Sequence, residues 1–177
     1  SRAEVTISPG VADLRLAASS DTAILIAGTI DRARGEVLGQ NYRGDDGIAR
    51  YTLESRELRG LPFGATAPGG QHAIWDLRLG RDLPTILNVN CGVGQATIDL
   101  TGLQLTGLAV NTGVGKTVVT LPTTGRFTAS VDAGVGEVVV QVPTGMAARV
   151  RSVTILWLPC ADMPMPPPMT IPSITAI

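Results

Sequence analysis

The sequence predicts an all-β chain, wound as a right-handed β-helix, or solenoid, with turns of 21 residues. Three observations predict it. Gly-Val-Gly recurs at 92–94, 113–115 and 134–136 without slippage, and a fixed period near 20 residues marks a stack of equivalent supersecondary units. Like residues then fall at equal offsets: Leu87/Leu108/Ala129, Val89/Val110/Val131, Val93/Val114/Val135, Ile98/Val119/Val140 and Leu100/Leu121/Val142. Within a turn, Val119 and Leu121 flank Thr120, and Val140 and Val142 flank Gln141. That period-two alternation belongs to a strand with one buried face. Pro122, Pro143 and the glycine pairs leave no room for a helix of useful length.

A turn of this length, at about 3.3 Å per extended residue, accommodates three short strands and three corners, with neighbouring turns about 4.8 Å apart. The five aliphatic columns, the Val93 column among them, are expected to line a dry interior. Gly92, Gly94, Gly113, Gly115, Gly134 and Gly136 mark a stacked corner, where a positive φ or a close backbone approach favours glycine. Asn90, Asn111 and Asp132 share the column beside it. They read either as a side-chain hydrogen-bonding ladder or as solvated turn residues.

Upstream of the repeats, residues 4–18 read as two short strands around Pro9-Gly10, and 23–30 (AILIAGTI) as a buried strand. Residues 34–43 and 47–53 flank Gly44-Asp45-Asp46-Gly47 and form a hairpin. Arg50, Glu54, Arg56, Glu57 and Arg59 make an exposed charged face. Residues 60–71 are a Gly/Pro-rich loop. Trp75, Leu77 and Leu79 lie 21 residues before Ala96, Ile98 and Leu100, so 74–79 is expected to stack on the repeats as an incomplete turn. The resulting division is a single β domain over 1–151, with an N-terminal β region at 4–60 and solenoid turns at 74–151, followed by a Pro-rich non-repeat tail at 152–177.

Composition narrows the function. Net charge is −1, which favours neither nucleic acid nor an acidic membrane surface. Residues 1–86 carry 10 basic and 11 acidic side chains and residues 87–177 only 4 of each, so the repeat surface is mostly Thr, Gly, Gln and outward Val. No apolar run is long enough to span a membrane. Cys91 shares its column with Thr112 and Ala133 and reads as a small tolerated residue; a disulfide to Cys160 stays open.

Motifs for chemistry fail on their context. Gly113-Val114-Gly115-Lys116-Thr117 resembles the end of a phosphate loop, but Val110 stands where that loop needs glycine and a β pattern follows in place of a helix. The Asp99 column reads Asp, Thr, Gln, unlike calcium-binding β-rolls. His72 is the sole histidine and gives no zinc pattern. Ser152 lacks a nucleophile-elbow setting. Asp76, Asp82 and Asp99 are expected as solvated or paired charges, with Asp99 in the column of Arg78. No catalytic residue, cofactor or metal is therefore assigned. Thr97, Val118 and Val139 sit one position off the buried columns and form an outward, uncharged face suited to interaction.

The lines LNVNCGVGQATIDLTGL and LAVNTGVGKTVVTLP, preceded by WDLRLGRDLPTIL, resemble the toast-rack β-solenoid domain of bacterial envelope proteins. That family includes the C-terminal domain of regulators of the response to cell-wall-active antibiotics and a related set of adhesin-like domains. ISPGVADLRLAASSDTAILIAGTI resembles its opening, so the likeness covers about residues 4–151. The resemblance implies a non-enzymatic envelope scaffold in stress or antibiotic-response signalling, binding a protein partner or a second copy. The alternative is a carbohydrate-facing adhesin or a degenerate β-helix enzyme. Ser1 without a preceding Met, together with the resemblance, implies an envelope or secreted protein whose signal or anchor segment was removed. After Arg149 the register fails and the tail departs from the family, either as a loop or cap or through a change of coding frame.

Overall fold

The computed structural model describes residues 1–21, 24–33, 36–57, 73–144 and 174–176, the last three by backbone only. They form ten strands: β1 Arg2–Ser8, β2 Ala12–Ala18, β3 Ile26–Asp31, β4 Glu36–Asp45, β5 Ile48–Glu57, β6 Ala73–Leu79, β7 Thr85–Asp99, β8 Leu105–Thr120, β9 Thr128–Val142 and β10 Ile174–Ala176. No helix occurs among the described residues.

The repeat sets the register. β7, β8 and β9 pair in parallel, with Leu87 opposite Leu108 and Leu108 opposite Ala129, and with Ile98, Val119 and Val140 likewise aligned. Each side chain therefore packs on its equivalent in the next layer. Leu87, Val89, Val110, Ile98, Leu100 and Val119 are fully buried.

The Val93 column is a correction. Val93, Val114 and Val135 do stack on one another, but they lie outside the shaft, 47%, 48% and 64% exposed. The reason is parity. Inward residues before the corner are Leu87, Val89 and Cys91; after it they are Ala96, Ile98 and Leu100. Four residues, Gly92 to Gln95, span the bend, so the alternation changes phase and the valine is left on the convex side.

A second correction concerns layer order. β1 and β2 lie directly against β7: Val5 opposes Leu87, Ile7 opposes Val89, Leu14 opposes Ala96 and Leu16 opposes Ile98. Val11 bridges Val93 between them. β5 and β6 form the next layer out, with Tyr51 opposite Val5 and Trp75 opposite Leu14. β6 thus shares the column of the repeats but stacks on β2 rather than on β7. Residues 12–18 carry the same inward pattern, and Leu14 fills the space between Trp75 and the small Ala96. Arg78 likewise opposes Ala17, which separates it from Asp99. Asp99 instead accepts a 2.9 Å hydrogen bond from the Thr101 backbone N–H, closing its own turn.

β4 and β3 close that end of the stack, antiparallel to β5 and β6. β4 and β5 form the expected hairpin. Its two central turn residues, Asp46 and Gly47, have φ of 50° and 74°, the left-handed pair that a two-residue hairpin turn requires. β3 is an edge strand with mainly exposed side chains, in contrast to the buried strand expected over 23–30. AILIAGTI is apolar, but the sheet ends at β3, so nothing lies against its outer edge among the described residues.

At the opposite end, β10 pairs in parallel with the last residues of β9, Ile174 against Val140 and Ala176 against Val142. The expected non-repeat tail therefore contributes a strand. Among the described residues one buried side-chain polar atom is orphaned: the Trp75 indole N–H has no acceptor, a cost on the order of 1–3 kcal/mol that the ring's burial offsets.

Candidate interaction surface

Each corner is built by close backbone approach. Gly94, Gly115 and Gly136 have φ of 139°, 145° and 140°. A Cβ on Gly115 or on Gly136 would lie 1.8 Å from the carbonyl oxygen of the equivalent glycine one layer below. The first glycines are equally crowded without that φ: a Cβ at Gly92, Gly113 or Gly134 would meet a carbonyl at 2.3, 2.4 or 2.7 Å. Glycine lets the layers descend to ladder spacing where the chain bends.

Around this corner the outward side chains form three stripes. The valine ridge runs through four layers, because Val11, 44% exposed, extends Val93, Val114 and Val135. Gly10-Val11-Ala12 is therefore a degenerate copy of the repeated corner that the repeat pattern alone does not reveal. A signal for it exists: Ser8 to Leu14 can be laid over Asn90 to Ala96 with Gly10 on Gly92 and Val11 on Val93.

On one flank stands a polar ladder. Asn111 Nδ2 donates to Asn90 Oδ1 at 3.0 Å, and Asn90 Nδ2 donates to Ser8 Oγ at 3.3 Å. The ladder stops at Asp132, which accepts from its own strand neighbour Ser130 at 2.8 Å. On the other flank Asp13 accepts from the Gln95 backbone N–H at 3.1 Å, and Lys116 pairs with Glu137 at 3.0 Å. Both Lys116 and Glu137 are about half exposed, so this pair contributes at most about 1 kcal/mol.

Thr97, Val118 and Val139 align across β7, β8 and β9, with Thr97 exposed and the two valines half-buried. Arg15 continues their column on β2. Asp76, Asp82 and Asp99 do not gather. Among the described residues no three His, Cys, Asp or Glu side chains converge as a metal site, and no helix is long and apolar enough to cross a membrane. A shallow cleft of about 340 Å³ opens at the other end of β7 and β8, lined by Pro84, Gln104, Leu105, Thr124 and Arg126. Arg126 is its single charged lining residue. On the charged face Arg50 pairs with Glu4 at 2.9 Å and Arg56 pairs with Glu54.

Beneath the corner the interior changes character with layer. Thr112 and Thr117 hydrogen-bond each other at 2.7 Å in the buried shaft. One layer below, their places are taken by Cys91 and Ala96. Cys91 is a free thiol whose pKa burial pushes up to about 11. It is therefore protonated and unreactive at neutral pH. Burial also raises the Tyr51 phenol. Cys160, Arg59, His72, Ser152 and the loop at 60–71 lie outside the described residues.

Stacked parallel layers, glycine corners and the curled all-β sheet define a repeat scaffold. The chain belongs to the toast-rack family: residues 1–141 match its N-terminal domain, DUF2154. The fold is also similar to the crystal structure of a "putative cell adhesion protein" from Clostridium sporogenes, with a TM-score of 0.62 and 20% identity over 82% of this chain and 68% of that one. No curated protein matches the chain.

Proposed function

We propose that this chain is a non-enzymatic interaction module of the bacterial envelope, anchored there or secreted. Within a single β domain of residues 1–151, the repeats wind as a right-handed solenoid with 21-residue turns over residues 74–151, followed by a Pro-rich non-repeat tail at 152–177. The module presents a flat face or an open edge to another protein or to a second copy, in envelope-stress or antibiotic-response signalling. The observation that carries this reading is the outer surface of the corner: an exposed valine ridge four layers long, with the half-buried Val118 and Val139 on the same strands as its last two layers. Such a strip is more apolar than ordinary solvated β surface and gains from being covered. Membership of the toast-rack family supports a surface role, and so does the likeness in fold to a protein described as one of cell adhesion.

Light scattering across low-micromolar to near-millimolar chain, run beside a glycan array, tests the proposal. The expected result is a mass that rises with concentration, or capture of an envelope protein, either of which falls when Val114 and Val135 are changed to Asp. A strictly monomeric chain with a saturable glycan signal would replace this reading with a carbohydrate-binding one.

A further inference from the structure

The stack does not end symmetrically. On β9 the stretch Thr128–Glu137 is paired with β8 on one side and with no strand on the other among the described residues. The inward side chains show the consequence. Leu108, Val110 and Thr112 in β8 are at most 5% exposed. Their equivalents Ala129 and Ala133 are exposed and Val131 is half-exposed. Among the described residues no further layer covers the shaft here. The same edge does accept a strand further along, since β10 lies parallel on Val140–Val142.

We propose that Thr128–Glu137 is an acceptor groove for one more coil of this repeat class, supplied by another polypeptide and added in parallel. The inference rests on the interaction-module reading and narrows it to one edge and one kind of occupant. Three features select that occupant. Every corner glycine sits with its Cβ position 1.8–2.7 Å from a carbonyl oxygen of the layer below. The strand that stacks on Gly134 and Gly136 meets the same constraint, so it needs Gly-X-Gly at the bend. Ala129 and Ala133 leave a shallow interior, which larger aliphatic residues at the matching positions would fill. Finally, the edge is acidic: among the described residues Asp132 ends the ladder with no donor above it, and Glu137 ends the column above Lys116. An amide donor two residues before the Gly-X-Gly and a cation immediately after it would complement both.

Residues 107–116 of the chain itself, GLAVNTGVGK, meet the glycine and charge requirements and fill the interior over Ala129 with Leu108, with Thr112 falling over Ala133. Placed on β9 as β9 sits on β8, they put Leu108 over Ala129, Asn111 over Asp132, the glycines over the glycines and Lys116 over Glu137. Residues 128–137, TASVDAGVGE, keep the glycines but set Asp over Asp132 and Glu over Glu137.

The test titrates the full chain into fluorophore-labelled synthetic peptides and follows anisotropy, with hydrogen exchange of the chain as a second readout. The 107–116 peptide is expected to bind saturably and to slow exchange at the amides of Thr128–Glu137. The same peptide with both glycines changed to alanine is expected to bind on the order of tenfold more weakly or worse, and the 128–137 peptide to bind more weakly than the parent. No saturable binding, equal binding of the alanine peptide, or protection on the Val118 face instead of the edge would overturn the proposal. A chain that self-associates through its valine ridge yet ignores the peptide would remove the edge assignment and leave the interaction module standing.

Discussion

Gly115→Ala isolates the feature on which the layering depends. The new Cβ would lie 1.8 Å from the Gly94 carbonyl oxygen, where ordinary contact begins near 3.4 Å. The two layers must therefore open by about 1.6 Å at the corner, a separation that breaks adjacent ladder hydrogen bonds. Losing two of them costs about 2 kcal/mol. Holding alanine at a φ of 145° adds about 1–2 kcal/mol. The expected loss is about 3–4 kcal/mol, a large share of the roughly 5–15 kcal/mol that stabilises a domain. In a chain of this size it lowers the melting temperature by roughly 6–16 °C. Guanidinium unfolding followed by far-UV circular dichroism measures it, with Gly107→Ala as the control. At Gly107 an added Cβ meets only the Ile86 side chain at 3.5 Å, so that variant is expected to stay within about 0.5 kcal/mol of the parent. Equal midpoints for the two variants would refute the account of the corner. Gly113→Val, crowded at 2.4 Å by the Gly92 carbonyl, is expected to lose more than about 1 kcal/mol through overlap alone.

Other outcomes follow from the same geometry. Val110→Ala, at a fully buried position, is expected to cost about 2 kcal/mol in denaturant unfolding, whereas Val114→Ala on the ridge stays within about 0.5 kcal/mol. Asn111→Ala removes the bond to Asn90 and is expected to cost up to about 1 kcal/mol, read from the same midpoints. Because burial raises Cys91 from 9.0 to about 11, the native state holds its proton more tightly than the unfolded chain. The resulting stabilisation is complete below pH 9 and is lost as pH rises from about 9 to 11, by an amount on the order of 2–3 kcal/mol. Unfolding midpoints of the parent and Cys91→Ala across that window check the sign: the parent's extra alkaline loss should vanish in the variant. A native thiol that reacts with a disulfide reagent at pH 8 as fast as in denaturant would contradict the burial.

Much of the architecture is legible because the chain repeats itself. Equal offsets between Leu87, Leu108 and Ala129 are enough to specify a parallel register, since only that register places like on like. The phase change at the corner is not legible, because an alternating pattern says which residues share a face but not where a bend switches faces. Spacing alone therefore puts Val93 inside. The position of β1 and β2 is hidden for a different reason. Their corner is Pro-Gly-Val-Ala, with the second glycine replaced, and they lie 82 residues from their neighbours in β7 rather than 21. Of the candidate face, Thr97, Val118 and Val139 can be aligned from the spacing. The edge of β9 cannot, because an unfilled place beside a strand depends on what the rest of the chain does.

The placement of β1 and β2 also governs how the protein is made. These strands leave the ribosome well before their ladder partners, which lie 46, 61 or 82 residues downstream. A segment synthesised early is thus the middle plank of the finished rack, and it waits with both edges bare until β5, β6 and β7 arrive. Folding by purely vectorial addition, coil upon coil in the order of synthesis, is closed to this topology. The ladders of β1 and β2 therefore close through non-local pairings, the kind of contact that slows folding.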